Sequence, residues 1–157
     1  MTARDTPGVL APPPLIYLAF LLAGWGLGEL FQGSSSLGLD ANLRRGLAFG
    51  LVIGGLLIEM IALGRFRRWG TAPEPWKPST ALITDGLYRF SRNPIYIGFA
   101  VIHVGFAVAM DSSAALAALL PCLVVIHRFV ILREERYLSQ KFGAAWDAYR
   151  SKVRRWL

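Results

Sequence analysis

Apolar residues fall into four runs, at residues 15–31, 47–63, 94–110 and 114–132, separated by stretches rich in charged residues, Gly, Ser and Pro. Each run is about 17 to 19 residues, roughly 26 to 28 Å as a helix, at the short end of what crosses a bilayer. Residues 1–14 turn from polar to Pro-rich (Pro12-Pro13-Pro14) and read as an extended lead-in. The first run reads as a retained helix, because Arg4 is offset by Asp5 and no small-x-small cleavage pattern follows. Residues 32–46 form a Gly/Ser-rich loop. Residues 64–93 form a long polar connection in which Pro73, Pro75 and Pro78 rule out a single helix. Thr84-Asp85-Gly86 is a turn, and Asn93-Pro94 reads as an N-cap followed by Pro at the first helical position. Asp111-Ser112-Ser113 is a tight turn, and Pro121 breaks the fourth run mildly. From Arg133 the tail is amphipathic: Tyr137, Leu138, Phe142, Trp146 and Tyr149 recur at helical spacing and predict an interfacial helix. The pattern predicts one all-α integral membrane domain over residues 1–157. It has about four transmembrane helices, a cytoplasmic half at 64–157 and a C-terminal interfacial helix.

Composition supports lipid as the solvent. Of 157 residues, 54% are hydrophobic and 17% charged, and mean hydropathy is +0.44, beyond what a soluble core of this size needs. The net charge of +7 does not point to nucleic acid, because the basic residues flank apolar runs. They instead set an orientation. Arg65, Arg67, Arg68, Lys77, Arg89 and Arg92 follow the second run, and Arg133, Arg136, Lys141, Arg150, Lys152, Arg154 and Arg155 lie in the tail. Both segments are expected in the cytoplasm, with both termini there, in the inner membrane if the cell is bacterial. Arg44 and Arg45 are exceptions on the other side. The single cysteine, Cys122, lies in an apolar run, and His103 and His127 lack zinc-type spacing, so no metal is expected.

Candidate chemistry gathers where the third run begins and the fourth ends. Tyr96, Ala100 and His103 share one helix face, and Gly98 leaves room for a backbone or a ligand to come close. Arg92 precedes the helix, where its guanidinium and the free helix N–H groups suit a carboxylate. On the fourth helix Arg128 and Glu135 are two turns apart on one face, with Glu134 beside them. Adjacent carboxylates at a membrane boundary are costly unless paired or used. Glu59 is similarly placed in an apolar helix. Glu29, near the far end of the first helix, reads as a packing or snorkelling residue. Plain structural roles fit the same residues: a good cap, a headgroup anchor, or an ion network of the glutamates with Arg92, Arg133 or Arg136.

The order Thr84-Asp85-Gly86-Leu87-Tyr88-Arg89, Ser91-Arg92-Asn93-Pro94-Ile95-Tyr96-Ile97-Gly98, then Glu134-Glu135, Leu138, Phe142-Gly143 and Tyr149 resembles the membrane-embedded methyltransferases. That group includes the isoprenylcysteine carboxyl methyltransferases and the phospholipid methyltransferases. The resemblance spans about residues 64–155. It implies S-adenosylmethionine as methyl donor on the cytoplasmic side, a lipophilic acceptor and the lipid bilayer as partner. Its implied donor-binding residues are Tyr88, Arg92, Asn93, Pro94, Tyr96, Gly98, Glu134 and Glu135, with Arg92, Tyr96 and Glu135 nearest the chemistry. Glu59, His103 and Arg128 are candidates for the acceptor. Asn93 stands where the isoprenylcysteine enzymes usually have histidine, which leaves the acceptor open between a phospholipid amine and an isoprenylcysteine-like carboxylate. A second reading is a small four-helix transporter using Glu29 or Glu59 as a cation site. The 30-residue loop and the long tail weigh against it.

Overall fold

A computed structural model describes residues 6–9, 11–32, 36–74 and 76–157. Arg4 and Asp5, Gly33 to Ser35 of the first loop, and Pro75 lie outside them. Among the described residues the chain is helical, with α1 (Pro13–Gln32), α2 (Ala41–Arg68), a 3-10 turn (Gly86–Arg89), α3 (Pro94–Ala109), α4 (Ser113–Ala117), α5 (Leu119–Val125), a π-helical segment (Ile126–Ile131), α6 (Leu132–Phe142) and α7 (Ala144–Arg150). Pro13–Phe31, Ala41–Arg68 and Ser113–Phe142 are each long and apolar enough to cross a membrane, and Pro94–Ala109 is a shorter apolar helix. Leu30, Phe49, Met60, Leu120 and Val124 stand exposed on their outer faces, as lipid contact requires. The chain is an all-α integral membrane protein.

Two expectations need correction and one is met. The second helix is 28 residues long, not confined to 47–63. The Asp40 carboxylate accepts from the Asn42 and Leu43 amides and starts the helix early, and long Arg side chains keep both polar ends compatible with a helix. The fourth run is interrupted near Pro121, as expected. The Pro121 ring has no N–H and crowds the carbonyl of residue 117, and the α-helix is interrupted at Ala118 before the π segment follows. The tail is not one amphipathic helix. Gly143, at φ +48° and ψ −122°, turns the chain between α6 and α7, and only glycine holds that conformation without strain.

The helices are knitted by small residues and by polar bonds at their ends. At the α2–α3 crossing, Gly55 lies under the Gly98 carbonyl and Ile102, and Gly98 lies under Glu59 and the Gly55 carbonyl. A methyl group at either position would come within 3 Å of the neighbouring helix, so this is the close approach that small residues allow. Tyr17 on α1 donates to the Tyr96 carbonyl on α3 at 2.9 Å. At the far end, Arg44 pairs with Asp111 at 3.1 Å. The Leu37 amide and the Ser36 hydroxyl hold the Asp111 carboxyl below its ordinary range. At the near end the long connection is packed down. Asp85 accepts from Arg65 and Trp69, the Ser79 amide donates to the Tyr137 hydroxyl, and Ile83 and Tyr88 form a buried cluster with Ala62.

Candidate functional site

Three segments converge at the near end: residues 88–96, the Glu134-Glu135 pair on α6, and α7. They line a cavity of ≈ 110 Å³ with Tyr88, Arg92, Asn93, Tyr96, Glu134, Glu135, Tyr137, Trp146 and Tyr149, roofed by residues of the 72–83 connection. The Tyr96 hydroxyl donates to Glu134 at 2.6 Å. Arg92 Nη2 meets Glu135 Oε1 at 2.9 Å, and Arg155 grips the same carboxylate with both Nε (3.0 Å) and Nη2 (2.7 Å). That bidentate grip raises the Arg155 pKa. Arg92 Nη1 also donates to the Arg150 carbonyl at 3.2 Å, and its guanidinium lies 5.7 Å from the Trp146 ring centre. Arg92 Nε is buried and has no hydrogen-bond partner. The Tyr149 hydroxyl donates to the Tyr88 carbonyl at 2.7 Å, which fastens α7 to the wall. Burial pushes the Tyr88 and Tyr149 hydroxyls above the ordinary tyrosine range, so both stay neutral donors.

The charges are unevenly shared. Glu135 carries one negative charge against two guanidiniums, so that side of the cavity is net positive and keeps a spare donor in Arg92 Nε. Among the described residues Glu134 has Tyr96 as its partner, and that side offers a carboxyl group with no cation paired to it. A carboxylate at one end and a cation at the other would satisfy both sides.

Of the sequence candidates, Tyr88, Arg92, Asn93, Tyr96, Glu134 and Glu135 share this cavity. Asn93 does not cap α3 with its side chain; its Nδ2 donates to the Arg155 carbonyl at 2.8 Å. Pro94 and Gly98 are absent from the lining: Pro94 starts α3 and Gly98 serves the α2–α3 crossing. His103 is a buried packing residue whose Nε2 lies 2.9 Å from the Ala115 carbonyl. Glu59 sits against Gly98 with Oε1 buried and unpartnered. Arg128 and Glu135 do not share a face. The π segment adds a residue to the helical path, turning the register by about 100°, so Arg128 lines a different cavity. That second cavity is a groove of ≈ 800 Å³ lined by Ile97, Ala100, Val101, Val104, Leu119, Leu123, Val124, His127, Arg128, Leu132, Trp156 and Leu157.

Sequence pattern assigns Trp146 to an interfacial helix and Arg155 to the tail cations, and places neither in the site. The signal for Arg155 was an imbalance: two adjacent glutamates need more cation than Arg92 supplies, and Arg154-Arg155 stood only twenty residues on.

A family model described as phospholipid methyltransferase matches residues 43–145. Among similar proteins, an uncharacterized protein of Haemophilus influenzae is 36% identical over 63 residues, covering 40% of this chain and all of that protein. A protein-S-isoprenylcysteine O-methyltransferase of Schizosaccharomyces pombe is 36% identical over 74 residues, 46% of this chain and 30% of that protein. A second, isoprenylcysteine O-methyltransferase B of Arabidopsis thaliana, is 36% identical over 75 residues, 46% of this chain and 36% of that protein. The match spans about a third of the length of these two methyltransferases.

Proposed function

Because the chain belongs to the phospholipid methyltransferase family, we propose that it moves a methyl group from S-adenosylmethionine to a lipophilic acceptor at the membrane surface. The observation that carries this reading is the split polarity of the ≈ 110 Å³ cavity. The donor is a zwitterion with an added sulfonium, and the cavity offers a spare guanidinium N–H on one side and a carboxylate on the other. Arg92 Nε takes the carboxylate of the donor. Glu134 takes its cationic end, and the Tyr96 hydroxyl fixes the orientation of Glu134. Glu135 acts through Arg92, holding the guanidinium in place, and is a positioning residue. Tyr88, Trp146 and Tyr149 supply aromatic walls for the nucleoside and the sulfonium.

The donor supplies an electrophilic methyl on positively charged sulfur. The acceptor's lone pair forms the new bond to carbon as the S–CH3 bond breaks, and the bonding pair stays on sulfur as a neutral thioether. A carboxylate acceptor needs no proton transfer, whereas an amine releases one to solvent. The chain contributes alignment and exclusion of water rather than acid–base chemistry. The acceptor's hydrocarbon part lies in the apolar groove, which adjoins the polar cavity across α3 and α6. A phospholipid amine and an isoprenylcysteine-like carboxylate both fit this division.

The transporter reading loses its footing. Glu29 is exposed, and Glu59 belongs to the α2–α3 crossing. Titration calorimetry of S-adenosylmethionine into the detergent-purified protein is the direct test. Binding is expected in the micromolar to millimolar range, weakened at least tenfold by Arg92→Ala and by Glu134→Gln and unchanged by Glu29→Ala. A folded wild-type protein that binds none of the donor would sink the proposal. A gain of one CH2 in lipid extracts of expressing cells, missing from an Arg92→Ala control, would identify the acceptor.

A further inference from the structure

Two aromatic side chains stand exposed just outside the apolar spans. Trp69 follows the last residue of α2 and is 49% exposed; Phe90, four residues before α3 begins, is 71% exposed. Contact with hydrocarbon accounts for Phe49 or Leu120 on the helix faces, but these two lie at the level where headgroups meet water. They also lie close together. The Trp69 indole N–H and the Arg65 guanidinium both donate to Asp85, at 3.3 Å each. Phe66 meets Tyr88 edge-on, with ring centres 5.9 Å apart. These contacts lay the end of α2 against residues 85–90.

Three guanidiniums accompany the pair. Arg67 and Arg68 on the last turn of α2, and Arg89 beside Phe90, are all exposed. The acids of the connection do not serve them: Asp85 is held by Arg65, and Glu74 pairs with Lys77. Among the described residues, none of the three forms an ion pair. A helix C-terminus favours cations through its dipole. That accounts for Arg67 and Arg68 at the end of α2, but not for Arg89 or for the two exposed rings. The patch therefore combines three unpaired cations with two apolar rings.

We propose that this patch binds anionic phospholipid headgroups of the leaflet in which α2 ends. Guanidinium forks match the oxygens of a phosphodiester. Aromatic rings at headgroup level anchor in the boundary with the acyl chains, and cations at that level gather anionic lipid. Phe66 and Tyr88, the ring pair beneath the patch, line the polar cavity, so a headgroup held here rests against the cavity wall from outside. The proposal does not depend on the methyl donor.

The test uses the full chain in mixed micelles with lipids brominated on the acyl carbons nearest the headgroup, which quench tryptophan on contact. Brominated phosphatidylglycerol is expected to quench at least twofold more than brominated phosphatidylcholine at about 0.1 M salt, and to lose that excess at about 1 M. Trp69→Phe should remove the excess, which locates it among the five tryptophans. The triple variant Arg67→Gln, Arg68→Gln, Arg89→Gln should remove it with helical circular dichroism unchanged. Arg45→Gln, an exposed arginine at the other end of α2, should leave it intact. The salt and Trp69→Phe arms decide the matter even without the triple variant. Equal quenching by the two lipids would overturn the proposal, since the patch would then be an ordinary interfacial belt. So would an excess that survives Trp69→Phe or the triple variant, because the anionic lipid would then sit elsewhere. Poly-glutamate that displaces the brominated phosphatidylglycerol at equal charge concentration would assign the patch to an acidic protein instead.

Discussion

Tyr96 carries more of the site than any other single residue. Its carbonyl accepts from Tyr17 on α1, its hydroxyl donates to Glu134 on α6, and its backbone belongs to α3. Tyr96→Phe keeps the ring and the α1 contact but leaves the Glu134 carboxylate without that donor. Leaving a buried polar group without its hydrogen bond costs about 1–3 kcal/mol. The expected outcome is that much loss of unfolding free energy in detergent, with weaker donor binding. Unchanged stability would mean that Glu134 already finds another donor. Tyr96, Arg92 and the glutamate pair were legible because their spacing from a helix start is local information. The second cation on Glu135 was not. Arg155 reaches it only because the chain reverses at Gly143, and nothing in a count of tail charges separates Arg155 from Arg154.

At the scale of elements, hydropathy located each apolar segment but not its hydrogen-bond register. It found the middle of α2 and missed the turns at both ends, where Arg44, Arg45, Arg65, Arg67 and Arg68 remain helical because long side chains can reach water. It could not see the π segment at all, since composition does not change where the ladder widens. That segment sends Arg128 to the apolar groove and Glu135 to the polar cavity, so seven-residue spacing misled there. The break at Gly143 has a comparable effect on the tail. Tyr137 and Tyr149 fall on different helices, and α7 folds back until Tyr149 reaches the Tyr88 carbonyl. A Cβ at residue 143 meets no neighbouring atom within 4 Å, so Gly143→Ala tests the backbone alone. It should cost about 1–3 kcal/mol through strain and lower donor affinity, because the Tyr149 and Arg150 contacts then move. Thermal unfolding and donor titration of this variant check both. A fully stable variant with wild-type affinity would mean that the turn is not what places α7.

For the whole molecule, the two ends of the bundle differ in what they hold. One end is a short link in which Arg44 meets Asp111; the other gathers the 64–93 connection, the carboxylate pair and the tail. The Arg44 exception to the charge pattern has a local cause, since its cation is engaged by an acidic partner across the α1–α2 and α3–α4 links. Arg65, Arg67, Arg68, Lys77, Arg89 and Arg92 on the connection, together with the tail cations, outnumber Arg44 and Arg45. Cationic segments resist translocation, so the cavity end is expected in the cytoplasm, where a nucleoside methyl donor is supplied. Two exposed positions report the ends separately: Ser36 beside Asp111, and Ser151 just past α7. With Ser36→Cys, a membrane-impermeant maleimide should label cells whose inner membrane is exposed but unbroken. With Ser151→Cys, labelling should wait until the membrane is opened. Cys122, fully buried, gives no background. The reverse pattern would place the cavity outside the cell, away from the donor's source, and would undo the orientation even if the purified protein bound S-adenosylmethionine.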